Sequence, residues 1–132
     1  MIKIIIADDS AMLRERVKSL LMDIKNVEIV GEAENGIIAL RLIKETDPDL
    51  VILDIRMPGM NGIETLNAIK KSGRKTKVWI LTNYPYPQYR ERCMAEGADY
   101  FFDKNQDFQK ISTMLTELVN ACDSKTTQIP TM

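Results

Sequence analysis

The sequence contains no histidine and only two cysteines, Cys93 and Cys122, which do not form a CxxC pair. A zinc site built from Cys and His ligands is therefore not expected. Two isolated cysteines are typical of reduced thiols in a reducing compartment.

Long apolar runs and a strong excess of charge are also missing. The longest apolar runs, such as those from Ile4 to Ala7 and from Leu50 to Leu53, are far too short to span a bilayer. The N-terminal segment lacks the apolar core and the cleavage site of a signal peptide. The net charge is −1, so no basic face for nucleic acid is indicated. We expect a cytoplasmic protein without membrane insertion and without direct nucleic-acid contact.

The composition is that of an ordinary globular domain. Hydrophobic residues make up 45% of the chain and charged residues 28%, which argues against disorder. A chain of 132 residues is long enough for one domain and short for two. The periodic pattern ends near Cys122, and the residues after it are polar and without pattern. We predict one domain over residues 1–122 and a polar, flexible tail over residues 123–132.

Apolar runs alternate with helical periodicity along this domain. Short runs rich in Ile and Val predict buried strands, which are Lys3–Ala7, Glu28–Glu32, Leu50–Asp54, Lys77–Thr82 and Tyr100–Asp103. Ser10 is a candidate cap for the first helix, whose apolar face carries Leu13, Val17, Leu20, Leu21 and Ile24. The other predicted helices are Gly36–Glu45, Gly62–Ser72, Pro87–Gly97 and Phe108–Cys122. This order predicts an α/β fold with a doubly wound, five-stranded parallel sheet and helices on both faces.

Polar residues follow several of the predicted strands. In open α/β sheets, ligands bind beyond the carboxyl ends of the strands, and the residues expected there are Asp8, Asp9, Asp54, Thr82 and Lys104. Three carboxylates at one edge repel each other unless a cation neutralises them. Mg²⁺ prefers oxygen ligands and leaves room for phosphate oxygens, and an aspartate can itself be a nucleophile. The arrangement therefore favours phosphoryl transfer, with Lys104 and Thr82 near the phosphoryl group.

Each of these residues also has an ordinary structural interpretation. Adjacent aspartates often cap helices, Asp54 could end a strand at the surface, and Thr82 could belong to a turn. A single lysine such as Lys104 is most often a solvated charge. These interpretations would all have to hold together at successive positions of one sheet edge, which favours a shared site.

The same residues occur in longer motifs. Ala7-Asp8-Asp9-Ser10 follows the first strand, Asp54 is followed by Pro58 and Gly62, and Lys104 ends the run from Gly97. In these motifs, over about residues 2–122, the chain resembles the receiver domain of bacterial two-component response regulators, including the single-domain chemotaxis type. The resemblance implies a flavodoxin-like (βα)5 fold.

The resemblance also implies roles for single residues. Asp54 would be the phospho-acceptor, and Asp9 would bind Mg²⁺ directly while Asp8 acts through water. The backbone carbonyl of Arg56 would be a further ligand. The phosphoryl group would be contacted by Thr82 and Lys104, while Thr82 and Phe101 would form the switch.

The function implied is a phosphorylation switch that is not an enzyme beyond its own phosphoryl transfer and hydrolysis. Because the chain has no histidine, it cannot be its own donor, and the resemblance implies that a partner sensor histidine kinase or a phosphotransfer protein supplies the phosphoryl group. The surface of the fourth helix, fifth strand and fifth helix would then control a downstream protein, or form a phosphorylation-dependent dimer.

The sequence departs from the family pattern at three places. Asn105 follows the lysine where the family usually has proline, so we expect a trans peptide bond there. Asn83 stands where a very small residue is usual and could narrow access to Asp54. The segment Tyr84-Pro85-Tyr86-Pro87 could make its loop rigid or present tyrosines to a partner.

Other functional classes have weaker support. A phosphatase of the haloacid-dehalogenase type would need a second aspartate where this chain has Arg56. A dinucleotide-binding module would need a glycine-rich first turn, which is missing between Ala7 and Met12. A pseudo-receiver that binds partners without phosphorylation remains the main alternative, although the complete acidic set disfavours it.

Overall fold

The structure is a computed structural model that describes the backbone of residues 1–128 and the side chains of residues 1–122. Five strands alternate with five helices. In chain order the elements are β1 (Ile2–Ala7), α1 (Ala11–Met22), β2 (Val27–Ala33), α2 (Gly36–Thr46), β3 (Leu50–Leu53), α3 (Gly62–Lys71), β4 (Lys77–Thr82), α4 (Pro87–Ala95), β5 (Tyr100–Asp103) and α5 (Phe108–Gln128). Every predicted strand and helix is present.

The five strands form one parallel sheet in the order β2-β1-β3-β4-β5. This order confirms the predicted doubly wound fold, because the chain first builds outward from β1 on one side and then on the other. At the carboxyl ends of the strands, Ala7 pairs with Leu53, and Thr82 pairs with Asp103. The residues after these four therefore reach the same edge of the sheet.

The predicted helix signals have the expected local geometry. The Ser10 side chain accepts a hydrogen bond from the Leu13 N–H at 3.2 Å, which confirms the cap of α1. Helix α3 begins with a capping box between Asn61 and Glu64. The same helix is followed by Gly73, whose φ of 78° is accessible to glycine and ends the helical path.

The C-terminal helix differs from the prediction in length. We expected it to end at Cys122, whereas α5 continues to Gln128. The apolar stripe does end near Cys122, but polar residues can extend a helix without contributing to its buried face. The last residues of the predicted tail, 129–132, lie outside the described residues, so the division into domain and tail stays a prediction.

Two hydrophobic clusters cover the two faces of the sheet. Alternate residues of β1 point to opposite sides, so that Ile5 and Ala7 join one cluster while Ile4 and Ile6 join the other. Helices α2, α3 and α4 contribute to the first cluster, and α1 and α5 contribute to the second. This arrangement confirms that helices lie on both faces and fixes the strands as a rigid support for the residues at their ends.

Trp79, the one tryptophan of the chain, lies inside the second cluster on β4. It is 2% exposed and packs edge-on against Tyr100 and Phe102, with ring centroids 5.7 and 5.6 Å away. Among the described side chains, its indole N–H is the buried donor that lacks a hydrogen-bond partner.

No helix within the described residues is both long enough and apolar enough to cross a membrane.

Candidate functional site

Backbone hydrogen bonds between neighbouring strands bring the predicted site residues together. The Asp54 N–H donates to the Ala7 carbonyl at 2.9 Å, which sets Asp54 beside the start of the loop that carries Asp8. In the neighbouring pair of strands, β4 and β5, the Lys104 N–H donates to the Thr82 carbonyl at 2.9 Å. Residues far apart in sequence are thus fixed at one edge by the ladder of the sheet itself.

Lys104 connects the two buried carboxylates of this edge. Its Nζ lies 2.7 Å from Asp8 Oδ2 and 3.3 Å from Asp54 Oδ2. All three side chains are less than a tenth exposed, so solvent screens these ion pairs little. The ammonium therefore offsets part of the negative charge at the site.

The loop after β1 is held by contacts from α1. Asp8 Oδ1 accepts a hydrogen bond from the Ser10 N–H at 2.8 Å. The guanidinium of Arg14 donates to the Asp8 carbonyl at 2.6 Å and forms an ion pair with Glu32 at 3.1 Å. The contact of Arg14 with the Asp8 carbonyl was not predicted from the sequence. The apolar periodicity of α1 identifies its buried face but does not indicate which residues its polar side chains contact.

Asp9 completes a cluster of three acidic side chains. It is exposed, and one carboxylate oxygen from each of Asp8, Asp9 and Asp54 lies within 4.8 Å of the others. Mg²⁺ is bound through one or two carboxylates with several waters, and this oxygen-only set at the open end of the sheet suits such an ion. The residues present therefore fit a magnesium ion.

Burial raises the pKa of the Asp54 carboxyl from its ordinary value of 3.8 to about 6. The negative charge of Asp8 acts in the same direction, while Lys104 and the Ile55 N–H, which donates to Asp54 Oδ1 at 2.8 Å, oppose it. At neutral pH the carboxylate form still predominates. Asp54 is thus a desolvated carboxylate, which is a suitable state for a nucleophile.

Gly62 keeps α3 close to the backbone of Asp54. Its N–H donates to the Ile55 carbonyl at 2.7 Å. A Cβ atom at this position would collide with the Asp54 carbonyl oxygen and the Ile55 Cα. The requirement for glycine at position 62 in the motif therefore has a steric basis in the loop between β3 and α3.

Thr82 ends β4 and is fully buried. Its Oγ1 accepts a hydrogen bond from the Tyr84 N–H at 3.0 Å, so the hydroxyl is engaged by the loop that follows the strand. Asn83, between these two residues, is exposed and lies with Lys104 and Asn105 along a small cleft.

Phe101, which we expected to be part of the switch, already lies inward in this structure. It is 6% exposed within the first core cluster, and the Arg90 guanidinium carbon lies 4.7 Å from the centre of its ring. Its neighbour Tyr100 is 45% exposed on the other face. The switching role of Phe101 stays a prediction.

The loop after β5 has the backbone expected for Asn105. The described residues contain no cis peptide bond, and the Asn105 N–H donates to Asp103 Oδ1 at 2.8 Å. A proline has no N–H and could not make this bond. The next turn is closed by Asp107, whose carboxylate accepts from the Asp103 N–H at 2.9 Å.

Arg56 has an additional side-chain role that the sequence did not indicate. Its guanidinium carbon lies 3.8 Å from the centre of the Tyr84 ring, and Nη2 lies 3.4 Å from the Tyr89 hydroxyl. From the sequence we expected only that the backbone carbonyl of Arg56 binds Mg²⁺, and this role stays a prediction. No periodic pattern could have indicated these contacts, since they join two loops and a helix.

An open cleft of about 590 Å³ lies beside the acidic cluster. It is lined by Asp9, Ile55, Arg56, Met57, Pro58, Asn61, Ile63 and Tyr89. The acidic cluster is therefore accessible from this cleft.

Residues 4–116 match the model of the response regulator receiver domain family. Among similar proteins, the nitrate/nitrite response regulator NarL of Escherichia coli is 34% identical over 104 residues, which are 79% of this chain and 48% of NarL. The chain thus spans about half the length of NarL and of similar curated relatives.

Solved structures show the same similarity. A DNA-binding response regulator of the LuxR family from Staphylococcus aureus superposes with a TM-score of 0.83 and 34% identity, covering 89% of this chain and 98% of that one. The CheX–CheY–BeF₃–Mg²⁺ complex from Borrelia burgdorferi gives a TM-score of 0.81 at 25% identity, with 89% of each chain covered.

Proposed function

The chain belongs to the response regulator receiver domain family, and on that basis we propose that Asp54 accepts a phosphoryl group in a Mg²⁺-dependent reaction. One observation carries the proposal: Asp54 is a buried carboxylate within 4.8 Å of two further acidic groups and 3.3 Å from the Lys104 ammonium. A nucleophile, a set of oxygen ligands and a cation for the phosphoryl group are thus present together.

The chemical step is a displacement at phosphorus. An Asp54 carboxylate oxygen forms a bond to the phosphorus of a phosphohistidine on a partner sensor histidine kinase or phosphotransfer protein. The bond between phosphorus and the histidine nitrogen breaks, and its electron pair stays on that nitrogen, which takes a proton from solvent. Since such reactions depend mainly on positioning and charge neutralisation, few groups besides those present are required.

The remaining side chains of the site orient and neutralise charge. Lys104 would move from its ion pairs with Asp8 and Asp54 to a phosphoryl oxygen, and the Thr82 hydroxyl would turn toward another. Asp8, Asp9 and Asp54, with the Arg56 carbonyl, would hold Mg²⁺, which supplies further neutralisation of the phosphoryl charge. The similar CheX–CheY complex was solved with BeF₃ and Mg²⁺, which supports this assignment by analogy.

The phosphoryl group would act on the surface formed by α4, β5 and α5. Movement of Thr82 changes the end of β4 and the loop that leads into α4. A downstream protein, or a second copy of this chain, would bind the altered surface. A ligand can shift such an equilibrium only through contacts that differ between the two states, and Thr82 and Lys104 provide such contacts.

Several expectations from the sequence belong to this proposal. The chain would be cytoplasmic, would not contact nucleic acid directly, and would catalyse only its own phosphorylation and hydrolysis. The alternative is a pseudo-receiver, in which the acidic cluster is retained but Asp54 is never modified.

Intact-mass spectrometry after incubation with acetyl phosphate and Mg²⁺ tests the proposal. We expect one added phosphoryl group in the wild-type protein and none in Asp54→Asn or in the presence of EDTA. The control is Glu117→Gln, which removes an exposed carboxylate away from the site. This variant should take up one phosphoryl group, as the wild type does. Equal modification of wild type and Asp54→Asn, or no modification of either, would contradict the assignment of Asp54.

A further inference from the structure

Arg56 connects the loop after Asp54 to the region of α4. Its guanidinium stacks on Tyr84, 3.8 Å from the ring centre, and reaches the Tyr89 hydroxyl at 3.4 Å. Tyr84 belongs to the loop between β4 and α4, whereas Tyr89 lies on α4 itself. We call these three side chains the Arg56 bridge.

The Arg56 bridge is attached to the proposed switch residue. The Tyr84 N–H donates to Thr82 Oγ1 at 3.0 Å. If the Thr82 side chain rotates toward Asp54, its oxygen leaves this N–H. The backbone that carries the Tyr84 ring then loses the bond that fixes it beneath Arg56.

Helix α4 buries little of its own surface, although Tyr89 packs against the first cluster, Arg90 lies over Phe101, and the C-cap residue Glu96 accepts a hydrogen bond from Asn67. Cys93 is its one buried residue within the described part of the chain, and Tyr86 at its N-terminus makes no side-chain cap. Helices with little buried apolar surface open at low free energy, so the contact from Arg56 to Tyr89, with Arg56 held in place by Tyr84, contributes to the few contacts that hold α4.

The bridge distinguishes the tyrosines of the Tyr-Pro repeat. Tyr84 is partly buried by Arg56, while Tyr86 is 48% exposed and touches the other two only through tilted ring contacts. Tyr84 is thus in contact with Arg56 while Tyr86 lies at the surface, and both interpretations of this segment stay predictions.

We propose that the Arg56 bridge holds α4 against the acceptor loop in the unphosphorylated protein and is released when Thr82 turns toward the phosphoryl group. This inference rests on the proposed function. It makes the side chains of Arg56 and Tyr84 positioning groups that act on the equilibrium between the two states, while the backbone carbonyl of Arg56 keeps its separate proposed role as a metal ligand.

Amide hydrogen exchange of the unmodified protein tests the bridge without any phosphoryl group. A cation–π pair at an exposed site corresponds to a change of about two- to fivefold in a local equilibrium. Arg56→Ala and Tyr84→Ala should each speed amide exchange of residues 88–95 by about that factor, and the double variant should add little. Tyr84→Phe keeps the ring and should behave like the wild type.

Arg92→Ala provides the matched control for loss of a positive charge. Arg92 lies on the same helix, is 62% exposed, and pairs with Glu96 instead of the bridge. It should leave the exchange of the first turn of α4 unchanged. Equal effects of Arg56→Ala and Arg92→Ala would overturn the inference.

Binding of beryllofluoride with Mg²⁺ tests the link to the switch. Because the bridge stabilises the unmodified state, Tyr84→Ala should bind beryllofluoride about two- to fivefold more tightly than Tyr84→Phe. Neither substitution changes the charge of the site. Equal affinities of these two variants would overturn the inference alone, whereas a wild-type protein that fails to bind beryllofluoride would overturn the proposed function as well.

Discussion

The Nζ of Lys104 lies 2.7 Å from Oδ2 of Asp8, and the two side chains are 7% and 5% exposed. Removing one partner of a buried ion pair leaves the other charge uncompensated, which is more costly than losing an exposed pair. Here the consequence is larger, because the same ammonium also pairs with Asp54 at 3.3 Å.

Replacing Lys104 should therefore destabilise the metal-free protein. We expect Lys104→Met to lower the free energy of unfolding by about 3 kcal/mol at pH 7.5 in EDTA. The loss should shrink when Mg²⁺ neutralises the carboxylates in place of the ammonium. Urea unfolding with and without Mg²⁺ measures both effects. Lys110→Met is the control, since Lys110 is 68% exposed and should matter little; similar losses for the two variants would contradict the prediction.

The raised pKa of Asp54 gives a second prediction. A carboxyl whose pKa is higher in the folded state favours folding below its unfolded pKa, and this contribution is lost as pH rises through the folded pKa. For Asp54 this contribution is lost between about pH 4, the pKa of the unfolded state, and about pH 6, the pKa of the folded state. Above it, the protein must hold a buried negative charge.

Asp54→Asn removes this charge while its amide oxygen can still accept from the Ile55 N–H. In EDTA we expect the variant to be more stable than the wild type at pH 7.5 by about 1–3 kcal/mol, because it removes a buried charge whose unfavourable effect remains after the attraction of Lys104 is included. The difference should disappear near pH 4. Urea midpoints from pH 4 to 8 test this; a constant difference across that range would show that ionisation is not the cause. Asp23→Asn, which removes a carboxylate at the exposed end of α1 away from the site, is the control.

Mg²⁺ should stabilise the wild-type protein by mass action. At a hundredfold excess over the dissociation constant the gain is about 2.7 kcal/mol. Asp9 is exposed, and its side chain forms no hydrogen bond within the described residues. The substitution Asp9→Asn should therefore leave the fold nearly unchanged. It should raise the urea midpoint in EDTA and gain less from Mg²⁺ than the wild type. If Asp9→Asn is less stable than the wild type in EDTA, or gains as much from Mg²⁺, Asp9 is not a metal ligand.

Gly62 offers a steric test of the acceptor loop. Gly62→Ala introduces a methyl group against the Asp54 carbonyl and should lower the free energy of unfolding by about 3 kcal/mol. Gly73→Ala is the comparison: its Cβ would meet no atom, and only its positive φ should cost about 1–2 kcal/mol. Thermal or urea unfolding measures both. A smaller loss for Gly62→Ala than for Gly73→Ala would argue against close packing at this loop.

The sequence predicted the edge of the sheet well for a geometric reason. Parallel strands align their carboxyl ends, so residues that directly follow strands, such as Asp8, Asp54 and Lys104, must converge wherever the strands are correctly assigned. Strand assignment was reliable here because β1, β3, β4 and β5 are covered on both faces and are apolar nearly throughout, whereas β2, at the edge of the sheet, is more exposed.

Contacts made by long side chains could not be predicted in the same way. Arg14 reaches the Asp8 carbonyl from the polar side of α1, and Arg56 crosses from one loop to Tyr84 in another. Their partners depend on loop conformation and side-chain rotamers, which leave no periodic trace in the sequence. The end of α5 differs from the prediction for a related reason, because polar residues carry little information about where a helix stops.

Trp79 gives the molecule a built-in optical probe. Since it is the single tryptophan, excitation of the indole reports on one position, deep among Tyr100 and Phe102. Emission from such a dry environment lies at short wavelength and moves to longer wavelength when water reaches the ring. The ring belongs to the cluster under α1 and α5, on the opposite face from the cluster that includes Phe101. The fluorescence of Trp79 should therefore change on global unfolding and change little when α4 rearranges.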